Sequence, residues 1–150
     1  MDRLITSPNT SHKTKNTIFL AGGISNCPDW QTPVAEKLLA NTDYTIFNPR
    51  RKDWNIDDEA DEAQKQIIWE HEHLARSETI LFWFPQETLC PITLLEYGKF
   101  LVSNRKLVVG THLDYQRRFD VEVQGNLERP GLYVWSDLDL MVKSIFTCQN

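Results

Sequence analysis

The sequence has no apolar run approaching the roughly 20 residues needed to cross a bilayer. Its start, MDRLITSPNTSHKTKN, lacks the apolar core of a signal peptide, so no membrane attachment is expected. Cysteine is scarce: Cys27, Cys90 and Cys148, widely spaced. An odd number without CxxC or CxxH pairs argues against a disulfide framework and a structural zinc site. A reducing cytoplasm is the expected setting. Positive charge is short as well: 16 Lys and Arg stand against 21 Asp and Glu, a net charge of −5. That balance gives no footing for a nucleic-acid polymer, which requires a basic face. The short clusters Arg50-Arg51-Lys52 and Arg117-Arg118 read as solvated surface, with a phosphate contact as the other reading. The fingerprints GxGxxG and GxxxxGK[ST] are missing, as is the GxSxG of serine hydrolases. There is no internal repeat and no linker, so 150 residues point to one domain.

What is present alternates between apolar runs and amphipathic stretches. The first 16 residues are polar and expected to be flexible, with a single domain over 17–150. Strands are expected at Thr17–Ala21, Tyr44–Phe47, Thr79–Phe84, Lys106–Gly110 and Leu132–Trp135. Helices are expected at Pro28–Ala40, Asp61–Ala75, Ile92–Ser103 and Leu138–Phe146, with a short one over 115–124. Asn48–Asp58 reads as a polar loop containing Trp54. Strictly alternating strands and helices predict a three-layer α/β sandwich around a parallel sheet. Right-handed crossovers favour a flavodoxin-like (Rossmann-like) order, 2-1-3-4-5. Such sheets bind ligands beyond the carboxyl ends of their strands, at the switch point between the first and third. Gly22-Gly23-Ile24-Ser25 and Pro85–Glu96 leave those ends.

Within ITLLEYGKF, residues 92–100, one acid stands among apolar neighbours. Leu94, Leu95, Gly98, Leu101 and Val102 form the expected core stripe of that helix, and Glu96 lies nearly opposite. An acid opposite the core is ordinarily solvated, but Ile92 and Phe100 flank this one at i−4 and i+4. A covered, functional Glu96 and a surface acid are both open. On the preceding helix Ile67, His71 and Leu74 are expected to pack inward, beside Ala60 and Ala63. Gln66, Glu70 and His73 form a polar ridge next to Trp69, suited to a polar ligand or to solvent. Glu70 and His73 match one Glu-x-x-His repeat of a di-metal bundle, but no second set exists, so no metal is expected. Gly22-Gly23 permits close approach of a ligand to the backbone, or simply a tight turn.

FLAGG after the first strand, FNPRR after the second, QIIWEHEHL in the second helix, ILFWFP in the third strand and PITLLEYGK at the third helix resemble the nucleoside 2-deoxyribosyltransferase superfamily, in particular its short nucleoside 2-deoxyribosyltransferase-like branch. The resemblance runs from about Thr17 to Trp135. It implies a flavodoxin-like fold and an N-glycosidic enzyme that moves a 2-deoxyribosyl group between nucleobases. Glu96, in Glu96-Tyr97-Gly98, matches the family nucleophile, and Glu70 matches its second acid, with Gln66 nearby. Gly22, Gly23, Trp69 and Tyr97 then become substrate contacts. A neighbouring subunit is expected to add a polar side chain after the fourth strand, Asp120 or Gln124, which implies a homo-oligomer. Family members carry an Asp six residues before the nucleophile; Cys90 stands there, and Glu87 is the residue that could compensate. The implied partners are a nucleoside or nucleotide and a free nucleobase acceptor, with no cofactor. Hydrolysis of nucleoside monophosphates or of a nicotinamide dinucleotide, and a binding module without turnover, are the alternatives.

Overall fold

The apolar runs all enter one sheet. A computed structural model describes residues 2–51 and 59–147; Lys52, Trp54 and Cys148 lie outside the described residues. In chain order the elements are β1 (Leu4–Thr6), β2 (Thr17–Gly22), α1 (Gln31–Asn41), β3 (Thr45–Asn48), α2 (Glu59–Arg76), β4 (Thr79–Phe84), α3 (Pro91–Leu101), β5 (Lys106–Thr111), α4 (Arg118–Glu128), β6 (Val134–Trp135) and α5 (Leu138–Thr147). The six strands are all parallel, in the order β1-β3-β2-β4-β5-β6. The five strands expected from the sequence keep their 2-1-3-4-5 order, and the fold is flavodoxin-like. Every residue of the central strand β4 is buried, which is why TILFWF reads as a continuous apolar run.

The addition is β1. The first 16 residues, expected to be flexible, instead supply an edge strand in which Leu4, Ile5 and Thr6 pair with Ile46, Phe47 and Asn48. Arg3 anchors its start by donating to the carbonyls of Leu39, Thr42 and Tyr44. Three residues carry no usable periodicity, and the open edge of β3 supplies the pairing partner.

Successive residues of β2 point to opposite faces and so feed two cores. Ile18 and Leu20 pack with Val34 and Leu38 of α1 and Met141 and Val142 of α5. Phe19 and Ala21 pack with Trp69 of α2, Tyr97 and Phe100 of α3, and Val121 of α4. α1 begins at Gln31 rather than at Pro28; ahead of it the Asp29 carboxylate accepts the Thr32 N–H at 3.0 Å, satisfying one of the free N–H groups of the first turn.

Two helix faces differ from expectation by a rotation. On α2, Trp69, His73 and Leu74 are buried, while His71 is exposed and Ile67 is 65% exposed. On α3, Thr93, Tyr97, Phe100 and Leu101 are buried, while Leu95 and Val102 are turned outward. Both helices carry more apolar residues than one face can hold. The large rings decide: Tyr97 packs edge-on against Phe82 and Phe84 of β4, and Trp69 packs on Phe19 of β2. Ring burial outweighs burial of a single aliphatic chain.

Candidate active site

The strand order reverses between β2 and β4, and a cavity of about 560 Å³ opens beyond the carboxyl ends of the strands there. That size falls in the range of small-molecule sites. Its floor is the end of β2, Ala21 and Gly22, followed by Gly23, Ile24 and Ser25. One wall is the α2 ridge with Gln66 and Glu70; the other is the start of α3, from Cys90 to Glu96. Pro49 and Arg51, after β3, close a third side.

The two glycines are required by packing. A Cβ on Gly22 would lie 2.3 Å from the Trp83 carbonyl oxygen, and one on Gly23 would lie 2.9 Å from Pro85 and 3.0 Å from the Cys90 sulfur. The Gly23 carbonyl accepts from Trp30 Nε1 at 3.0 Å, Gln31 Nε2 at 3.1 Å and Arg50 Nη2 at 3.4 Å. Arg50 also donates to Gln31 Oε1 and the Pro28 carbonyl and pairs with Asp29. Its guanidinium therefore holds the glycine turn, which corrects its expected reading as solvated surface. Arg51 lines the cavity and pairs with Glu62 at 2.6 Å.

Glu96 and Glu70 face the same space from different helices. Among the described residues, no hydrogen bond reaches the Glu96 carboxyl. Burial, and secondly the Glu70 charge, push its pKa up to about 8, with Lys99 opposing. Burial also raises Glu70, against a hydrogen bond from Gln66 Nε2 at 3.2 Å. The Glu70 charge thus adds to burial in favouring the protonated form of Glu96. One acid and one carboxylate in a cavity is the arrangement needed for proton donation beside nucleophilic attack.

The expected site residues divide into two groups. Gly22, Gly23, Gln66, Glu70 and Glu96 come together around the cavity. Trp69 does not line it: its ring stacks on His73 at 4.0 Å and its Nε1 donates to the Asn9 carbonyl. Tyr97 is buried on the opposite side of α3, where its hydroxyl donates to the Val121 carbonyl at 2.7 Å. Residue 97 follows Glu96 in sequence, but neighbouring helix positions point about 100° apart. Glu87 is exposed and outside the cavity lining. Asp120 and Gln124 are exposed on α4, beside Tyr97 and Gly98 in a separate groove. His73 has both ring nitrogens engaged: Nε2 accepts the Ser11 N–H, so Nδ1–H donates to the Trp69 carbonyl. Burial lowers its pKa, and it packs as a neutral core side chain.

The hydroxyl residues Thr88 and Thr93 line the cavity and were not expected there. Thr93 precedes Glu96 by three, a spacing that places both on one helix side. Cys90 also lines the cavity, in a left-handed conformation with φ 52° at the start of α3. Burial pushes its thiol up to about 12, so it is a neutral, unreactive group at physiological pH. Among the described residues no helix is long and apolar enough to cross a membrane.

No curated protein matches the chain. The family described as "Nucleoside 2-deoxyribosyltransferase like" matches residues 15–115, from just before β2 through β5 and the loop after it, a span that includes every residue lining the cavity. The match covers more than half of the sequence, and the chain belongs to the nucleoside 2-deoxyribosyltransferase like family.

Proposed function

We propose that this protein transfers a 2-deoxyribosyl group between nucleobases through a covalent intermediate on Glu96. The observation that carries the reading is the pair Glu96 and Glu70, facing one cavity at the switch point of the sheet from two different helices. Family membership supports glycosyl transfer. The glycosidic C–N bond breaks as positive charge grows at C1′ of the sugar. The proton that burial holds on Glu96 passes to Glu70 when substrate binds; the Glu96 carboxylate then stabilises that charge and bonds to C1′, giving a glycosyl ester with retention logic. The leaving base takes the bonding electrons and receives a proton from Glu70. An incoming base then attacks C1′, Glu96 departs, and the proton returns to Glu70. Neither step changes an oxidation state.

The test is chromatography of the protein mixed with deoxynucleosides, with and without a free acceptor base. A new nucleoside appearing only with acceptor is the expected result. Free base released without acceptor would replace transfer with hydrolysis. Binding without turnover would reduce the protein to a nucleotide-binding module.

The sugar preference follows from the lining. Phe19, Ala21, Ile24, Pro91 and Ile92 contribute apolar surface beside the polar Ser25, Gln66, Thr88 and Thr93, and this reading sets the 2′ edge of the sugar against the apolar part. A buried 2′-hydroxyl left unpaired costs about 1–3 kcal/mol, roughly a tenfold to hundredfold preference. Deoxyadenosine should therefore exceed adenosine in kcat/KM by about that factor. Equal or higher kcat/KM for adenosine rejects a deoxyribosyl site.

A further inference from the structure

The segment before residue 15 lies outside the family match, yet it reaches the cavity wall. After β1 the chain runs along α2 and bonds to it at every turn. Ser7 Oγ donates to Gln66 Oε1 at 2.6 Å, and the Asn9 carbonyl accepts from Trp69 Nε1 at 2.6 Å. The Ser11 N–H donates to His73 Nε2 at 3.2 Å, and the Ser11 carbonyl accepts from Arg76 at 3.0 Å. Positions 66, 69, 73 and 76 form one helix stripe, so this strap pins the rotation of α2.

Its first bond bears on the chemistry. Gln66 Nε2 lies 2.8 Å from the Pro49 carbonyl, which only accepts, so the amide nitrogen must face Pro49. The Gln66 oxygen then faces Ser7, which is 4% exposed and donates to it. The same nitrogen donates to Glu70 Oε1 at 3.2 Å. We propose that Ser7 is a positioning residue for Glu70, acting through Gln66: its hydroxyl locks the amide so that the Gln66 N–H stays on the Glu70 carboxyl. The proposal rests on the reading of Glu70 as the proton donor. Among the described residues, the other charged or titratable groups facing the cavity around Glu70 are Glu96 of α3, Cys90 just before it, and Arg51 of the loop after β3, which is paired to Glu62 of α2.

Ser7→Ala tests the relay, with Ser7→Thr restoring the hydroxyl. Losing the lock frees Gln66, and a carboxylate that loses a donor becomes harder to ionise. Carbon-13 NMR of the unliganded protein should then show the Glu70 carboxyl titrating at higher pH in Ser7→Ala and returning in Ser7→Thr. The kcat/KM profile for deoxyadenosine with a free acceptor base should move to higher pH and drop about tenfold, the scale of one net hydrogen bond. In a Gln66→Leu background, Ser7→Ala should change neither quantity further, because the link is already cut. A fall in melting temperature with an unchanged Glu70 titration and pH profile would make Ser7 structural only and overturn the proposal. The NMR titration needs no turnover, so a shifted Glu70 in a protein inactive on nucleosides upholds the relay while removing the transferase reading.

Discussion

The Glu96 carboxyl carries two consequences of burial, one for rate and one for stability. Glu96→Gln keeps the shape and removes the nucleophile, so turnover should fall by on the order of a thousandfold or more, about 4 kcal/mol of barrier. A folded Glu96→Gln protein with wild-type rates would remove Glu96 from the mechanism. On stability, the folded pKa of about 8 lies above the ordinary carboxyl value of 4.5. The folded state therefore binds more protons than the unfolded state between those values, and stability is lost as pH rises through about 8. Glu96→Gln should leave the melting temperature nearly unchanged near pH 4.5 and raise it at pH 9, by about 2–4 °C per kcal/mol relieved. Differential scanning fluorimetry at the two pH values checks the sign. The adjacent ring behaves differently. Tyr97→Phe loses a hydrogen bond to the Val121 carbonyl and should cost about 1 kcal/mol of stability. Activity of the folded variant should stay near wild type, since the Tyr97 hydroxyl faces α4 rather than the cavity. A large rise in KM would return Tyr97 to the substrate.

At the scale of an element, α3 is the part that aims Glu96, and it is secured at both ends. Pro91 starts its first turn. At its other end Arg129, just after α4, donates to the carbonyls of Phe100, Leu101, Ser103 and Arg105. A helix C-terminus leaves such carbonyls without intrahelical partners, and a guanidinium can satisfy several at once. Arg129→Met keeps much of the apolar stem but removes every donor. It should lower stability by about 2 kcal/mol, read as a reduced denaturation midpoint in urea. An unchanged midpoint would mean that water replaces the guanidinium without loss.

For the whole molecule, the helices α2, α3 and α4 and the turns beside them carry large exposed apolar residues: Ile67, Leu95, Val102, Phe119 at 78% exposure, and Leu127. Where such residues adjoin, they mark an interaction surface. Asp120 and Gln124 lie on α4, away from the cavity. If either contributes to the site, it comes from a second copy. Light scattering at micromolar concentration should therefore give a homo-oligomer, and Phe119→Asp with Leu95→Asp should shift it to monomer and reduce turnover. A wild-type monomer with full activity would rule out a shared site.

The sequence by itself determined the alternating α/β architecture, the order of five strands and the position of Glu96 beyond β4. These follow from local patterns, apolar runs for buried parallel strands and acids placed after strand ends, which need no knowledge of distant partners. Only the tertiary structure decided how α2 and α3 are rotated, since each offers more apolar residues than one face holds and the rings of β2 and β4 choose among them. It alone separated Arg50, bound to the Gly23 carbonyl 27 residues away, from Arg51 in the cavity. It also moved Tyr97 out of the site and brought Ser7 to Gln66 across 59 residues. Contacts of that separation carry no local signature, because their energy comes from which surfaces meet once the sheet has formed.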